Sequence, residues 1–321
     1  MNGMSDVLDA AGPQAARIAE LWWLMSWTCL VVFVAVMLVF AWALWRTPRS
    51  STATAPDIAP NPVGERRLRR SVTIGIAVSS VLLVGLLAAS VLTDRALARM
   101  PIDDALHVRI SAHQFWWEMV YDDAQPDRVF STANELYIPV GRPVIVTLEA
   151  DDVIHSFWVP NLHGKKDLIP GRVATIRFRA DRPGHYQGRC AEYCGLEHAF
   201  MAFDVVAVPS EQFATWADEQ RTPAADPGEP TAQHGRDLFL SGSCMLCHAV
   251  RGTTANARKA PDLTHVASRA RLAAGRLANS PKALAAWITA PQRIKPGVNM
   301  PDHLPPADDL AALVAYLETL R

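Results

Sequence analysis

Cys190-Ala191-Glu192-Tyr193-Cys194-Gly195-Leu196-Glu197-His198-Ala199-Phe200-Met201 brings two thiols, an imidazole and a thioether into one short segment. With His155 upstream the pattern is His-x34-Cys-x3-Cys-x3-His-x2-Met. Such soft and borderline donors suit copper, whereas magnesium and calcium take oxygen ligands. A single blue-copper ion needs one Cys, two His and a weak axial Met. A second cysteine four residues from the first lets a thiolate pair bridge two metal ions, each keeping one His and one weaker ligand. Taken alone, Cys-x3-Cys also suits a disulfide in an oxidising compartment or part of a zinc site. A closed zinc set leaves Met201 without a purpose. His107, His163 and His185 read as surface or hydrogen-bonded residues, because the ligand set is complete without them.

The chain around this segment has 321 residues, with Lys+Arg 31 against Asp+Glu 32, a net charge of −1, 50% hydrophobic and 20% charged residues. That balance excludes a disordered chain and a basic nucleic-acid binder. The mean hydropathy of +0.07 fits a few membrane helices attached to a soluble body. Five cysteines at uneven spacing exclude a disulfide framework. Cys29 reads as a small apolar residue, with no lipidation signal before it. There is no internal repeat.

Residues 21–45 and 71–93 contain no charged side chain, and each is long enough to span a bilayer at roughly 20 residues per crossing. Trp22, Trp23, Trp27, Trp42 and Trp45 lie toward the ends of the first run, as interfacial anchors do. Arg46, Arg49, Arg66, Arg67, Arg69 and Arg70 make residues 46–70 a cytoplasmic loop by the positive-inside rule. Segment 1–20, the second terminus and everything after Thr93 then lie outside the cell. A cleaved leader is the competing reading of the first run. The acidic neighbours of Arg17 and the length of the run favour a retained anchor.

Residues 105–208 hold short β-type runs, 106–111, 135–139, 143–149, 173–179 and 202–208, separated by turn signals, which predicts a sandwich or barrel. Residues 209–231, rich in Pro, Ala, Glu and Asp, read as a linker. Residues 232–321 turn helical: Ser280-Pro281 suggests an N-cap with Pro at the first helical position. Leu310, Leu313, Val314, Leu317 and Leu320 share a helical face. In this module Cys244-Met245-Leu246-Cys247-His248 is the Cys-x2-Cys-His signature of covalent c-type haem, with His248 as an axial ligand. Met300 follows as the sixth ligand, with His265 and His303 as alternatives.

Taken with the block Asp152-Val153-Ile154-His155-Ser156-Phe157 and the run Lys165–Arg172, the chain resembles subunit II of the haem–copper oxidases. Its last module resembles a small class I cytochrome c, from Gly235-Arg236-Asp237-Leu238-Phe239 to the closing helix. The expected architecture is therefore multi-domain: a two-helix transmembrane hairpin, an all-β cupredoxin-like domain and a small all-α class I cytochrome c domain. The resemblance implies a dinuclear copper (CuA) centre on His155, Cys190, Cys194, His198, Met201 and the Glu192 carbonyl. It further implies a magnesium ion on the Glu192 side chain at the interface with subunit I. It places an electron-entry aromatic after His113-Gln114, where the family's tryptophan is Phe115, leaving Trp116 and Trp117 as the nearest indoles. That departure weakens the case for a separate cytochrome docking at the copper.

The implied function is electron transfer in a proton-pumping terminal oxidase of a bacterial cell membrane. Electrons pass from cytochrome c or quinol–cytochrome c reductase, through haem c and copper, to subunit I, with subunit III as a further partner. Dioxygen chemistry lies off this chain, and no side chain here is itself catalytic. A CuA-type nitric oxide reductase is the alternative, and a copper carrier is disfavoured by the haem motif and the two spans. Glu65 stands where a proton path begins in the family, but its Arg-rich surroundings leave it without an assigned role.

Overall fold

The computed structural model describes residues 6–46, 62–99 and 101–321. Segment 1–5 and most of the expected cytoplasmic loop, with Arg49, lie outside the described residues. Two compact units emerge, residues 17–100 and the remainder.

The first unit holds most of α1 (Pro13–Arg46) and all of α2 (Pro62–Ala98), both long and apolar enough to cross a membrane. Arg66, Arg67, Arg69 and Arg70, expected in the loop, instead ride on the first turns of α2 with Glu65. A helix continues past its apolar segment because Arg and Glu are good helix formers.

In the second unit ten strands form two sheets. They are β1 (Leu106–His113), β2 (Trp116–Tyr121), β3 (Phe130–Ala133), β4 (Glu135–Pro139), β5 (Val144–Ala150), β6 (His155–Trp158), β7 (Lys166–Leu168), β8 (Ala174–Phe178), β9 (Gly184–Cys190) and β10 (Ala202–Val208). The sheet orders are β3-β2-β1-β5-β8 and β4-β10-β9-β6-β7, with β1/β5 and β4/β10 parallel. Alternation buries Val108, Ile110, Val144, Val146 and Leu148 from one sheet against Leu136, Phe157, Phe203 and Val205 from the other.

The N-terminal segment of this unit is tied to the sandwich. The Asn161 side-chain amide donates to the Asp6 and Asp9 carbonyls at 3.0 and 2.9 Å, and Arg182 pairs with Asp9 at 2.7 Å.

The expected linker is not a free tether. Residues 210–221 form α3 (Ser210–Arg221), which buries Phe213 and Ala217. Trp216 stacks on Tyr137 at 4.3 Å and meets Tyr121 edge-on. Phe213, Trp216, Ala217 and Gln220 follow helical spacing, a pattern masked by the prolines on either side.

The C-terminal part consists of α4 (Pro230–Ser241), a ribbon of β11 (Arg271–Leu272) and β12 (Leu277–Ala278), α5 (Pro281–Thr289), α6 (Pro291–Ile294) and α7 (Ala307–Thr319). Ser280 caps α5, accepting from Ala283 N at 3.2 Å. α4 and α7 cross closely at Gly235, where a Cβ would meet the Ala312 carbonyl at 1.9 Å. The ribbon adds to the all-α expectation. Its tip faces the sandwich, with Ala202 N donating to Ala274 O at 3.3 Å.

Candidate metal centre

His155 opens β6 and Cys190 closes β9, neighbouring strands that pair Phe157 with Cys190. Residues 191–201 leave β9 and return to β10, and Cys190 N donates to Met201 O at 3.0 Å to close the loop. Gly195 has φ +125° and packs against Gln114 and the Phe115 ring, a position a side chain would strain.

The loop gathers the donors seen in the sequence. The Cys190 and Cys194 sulfurs lie 3.8 Å apart. His155 Nδ1 is 3.7 Å from Cys190 Sγ, and His198 Nδ1 is 3.7 Å from Cys194 Sγ. Met201 Sδ is 3.8 Å from Cys194 Sγ, and the Glu192 carbonyl is 3.2 Å from Cys190 Sγ. His155, Cys190 and Cys194 are buried and form a metal-capable cluster. Two sulfurs flanked by one imidazole each, with a thioether and a carbonyl beside them, fit a copper pair in their chemistry. The thiols are free, so no disulfide joins them.

Supporting groups orient these donors. His155 Nε2 faces Asp152 Oδ1 at 2.7 Å, which turns Nδ1 toward the thiol as a carboxylate–histidine pair does at metal sites. Burial opposes ionisation of Asp152, but hydrogen bonds from His155 and from Val153 N and Gln114 N hold its carboxyl below the usual range. Burial likewise opposes a charged His155, yet the Asp152 and Cys190 hydrogen bonds raise it to about 9. The Cys190–Cys194 hydrogen bond lowers the Cys190 thiol and raises that of Cys194, while burial pushes both up. Gln114 Nε2 donates to the Cys194 carbonyl at 2.6 Å.

The aromatic candidates separate. Trp117 is fully buried, with its ring 6.2 Å from that of His155. Trp116 stacks on His113 at 4.4 Å. Phe115 lies against Gly195 and also against Gly297 of the C-terminal module. Glu192 is paired with Lys165, Nζ 3.7 Å from the carboxylate. His107 and His185 stay outside the cluster, and His163 Nδ1 is buried without a hydrogen-bond partner among the described residues.

In the C-terminal module Cys244 and Cys247 are free thiols on a short turn. His248 Nδ1 faces the Pro261 carbonyl at 2.7 Å, leaving Nε2 for iron. Burial lowers His248 below the usual histidine range, the neutral form a ligand needs. Half-buried Leu238, Met245, Leu263 and Leu277 supply apolar surroundings, so the residues fit a haem. Met300 sits on a loop whose carbonyls at 298 and 300 accept from Gln292 at 2.6 and 2.7 Å. His265 turns both ring nitrogens to the carbonyls of Arg321 and Thr222, and His303 is exposed.

Residues 118–208 match the family model for the periplasmic domain of cytochrome c oxidase subunit II, and residues 232–321 match that for cytochrome c. The chain carries a cytochrome c oxidase subunit II periplasmic domain followed by a cytochrome c domain. Cytochrome c oxidase subunit 2 of Alkalihalophilus pseudofirmus is 39% identical over 220 residues, 68% of this chain and 62% of the relative. That of Bacillus subtilis is 34% identical over 230 residues, 68% and 63%. The chain thus spans a little under two thirds of the length of these relatives. A solved periplasmic domain of oxidase subunit II from Bradyrhizobium japonicum is 30% identical, covering 36% of this chain and 93% of that one at a TM-score of 0.34.

Lys295 and Glu197 were not singled out in the sequence. Lys295, in Arg293-Ile294-Lys295-Pro296-Gly297, has the texture of a solvated basic loop. It is 1% exposed and lies between the subunit II and cytochrome c domains. Burial lowers it to about 8, while Glu197 acts in the opposite direction.

Proposed function

We propose that this chain is the electron-transfer subunit of a proton-pumping terminal oxidase. With haem c and copper bound, the chain would carry electrons from a c-type cytochrome or quinol–cytochrome c reductase toward subunit I, where dioxygen is reduced to water. Each group, when bound, takes up and releases one electron at a time. Cys244 and Cys247 would hold the haem covalently, and His248 and Met300 would bind its iron. His155, Cys190, Cys194, His198, Met201 and the Glu192 carbonyl hold the copper pair. Asp152 fixes the His155 ring, and Gln114 fixes the Cys194 peptide.

The observation that carries this reading is the convergence of five side-chain donors, with the paired sulfurs 3.8 Å apart at its centre. The Glu192 carboxylate is the group for a magnesium ion at the interface with subunit I, exchanging Lys165 for the ion. Subunit III completes the assembly. α1 and α2 anchor the chain in a bacterial membrane with both termini and both redox domains outside. The binding of residues 6–16 to the sandwich supports this arrangement, because the segment before α1 and the domains after α2 must share one side if both helices cross.

Electron paramagnetic resonance and absorption of the full chain, purified with copper and haem, test the reading. A mixed-valence copper pair together with c-haem bands is expected. A signal from a single copper ion, or a disulfide between Cys190 and Cys194, overturns it.

A further inference from the structure

The boundary between the two redox domains contains a charge that a swinging domain has no reason to bury. Lys295 Nζ donates to three main-chain carbonyls, Phe115 at 2.7 Å, Phe200 at 3.0 Å and Ala273 at 3.2 Å. An ammonium has three donors, and all three are used. Two acceptors belong to the subunit II domain and one to the ribbon of the cytochrome c domain. Phe200 O lies in the peptide that leads into Met201. Phe115 follows Gln114, whose amide holds the Cys194 carbonyl.

Neighbouring contacts converge on the same place. The Arg276 guanidinium lies 3.9 Å from the Phe200 ring centroid. Val298 packs on the sandwich core, and a Cβ on Gly297 would meet Leu196 Cδ1 at 3.2 Å. Glu197, 6% exposed and with Oε2 lacking a hydrogen-bond partner among the described residues, supplies a negative charge that favours the ammonium. A buried charge is tolerated when its hydrogen bonds and a counter-charge are both in place.

We propose that Lys295 is the latch that holds the cytochrome c domain in one orientation on the copper-bearing loop, with the Met300 segment beside Phe115. It is a positioning residue, and what it positions rests on the functional reading above. Electron transfer between the domains then occurs in a docked pair and needs no search by a tethered module. The same contact covers Phe115, so an external donor delivers to the cytochrome c domain.

The test uses the full chain as wild type, Lys295→Met, Lys295→Arg and Arg276→Ala, read by amide hydrogen exchange and by haem-to-copper transfer after flash reduction. In Lys295→Met, residues 114–118, 196–202, 273–276 and 293–300 exchange about tenfold faster, while β1, β5 and α7 keep their protection. Transfer slows about tenfold, with haem bands and copper resonance unchanged. Lys295→Arg falls between, since a planar fork cannot place three donors on these carbonyls.

Unchanged exchange in Lys295→Met overturns the latch even where both centres form. A wild-type chain that takes up neither copper nor haem removes the functional reading, and the exchange result still decides the latch. If Lys295→Met does not fold, Arg276→Ala, on an exposed side chain, decides it. About threefold faster exchange at 196–202 supports the latch, and no change overturns it.

Discussion

The loop proposed for copper and the segment proposed for haem would solve the same problem of holding a redox metal in opposite ways. In the loop every candidate donor is protein, and the donors lie close together: two sulfurs at 3.8 Å, an imidazole at 3.7 Å from each, and a carboxylate behind His155. In the haem segment only His248 is firmly aimed, by the Pro261 carbonyl, while Cys244 and Cys247 sit half-exposed on a short turn. A porphyrin brings four nitrogen donors and its own apolar surface, so the protein would need to add only the two cysteine attachments and the iron-binding side chains. Copper ions bring charge alone, and the fold must supply the rest.

The largest effect expected from this contrast is in the thiol pair. Replacing Cys190 or Cys194 by Ser abolishes the paired-copper resonance and leaves the haem bands intact. A surviving pair signal breaks the comparison. Next, a chain prepared without haem loses hydrogen-exchange protection in α4 and α7 before the sandwich does. A chain prepared without copper keeps protection in both domains. Equal sensitivity to the two losses shows that the loop is no more preformed than the segment.

Met300→Ala lowers the haem reduction potential in a spectroelectrochemical titration, because Met/His ligation raises it. An unmoved potential removes Met300 from the ligand set. Asp152→Asn weakens copper binding by about 10–100-fold, measured by competitive titration, since the His155 ring loses its orienting carboxylate. The smallest effect is that of Asn161→Ala. It removes two hydrogen bonds to the N-terminal segment and costs about 1–3 kcal/mol, read as faster exchange at residues 6–16.

The clustering of the candidate ligand residues was legible in the sequence because short spacing within one loop or turn nearly guarantees proximity. Cys190 to Met201 and Cys244 to His248 are such local sets, and His155 was found through the chemistry it would complete. The five quoted strand runs were legible from turn signals and β-type residues. β2, β3, β6, β7 and β9 were missed: Trp116–Tyr121, His155–Trp158 and Gly184–Cys190 mix aromatic, polar and glycine residues without clear alternation, and Phe130–Ala133 and Lys166–Leu168 are too short to show a period. α3 was taken for linker because its flanking prolines outweighed the period of Phe213, Trp216 and Ala217.

From sequence alone come the donor chemistry, the apolar runs, the haem motif and the order of the parts, since each is written in neighbouring residues or in composition. Tertiary structure alone decided that Asp152 backs His155, that α3 lies on the sandwich and that Lys295 is buried across a domain boundary. These depend on chain segments far apart in number meeting at a few ångströms. A lysine in a Pro-Gly loop carries no mark of where its ammonium ends up until three carbonyls surround it.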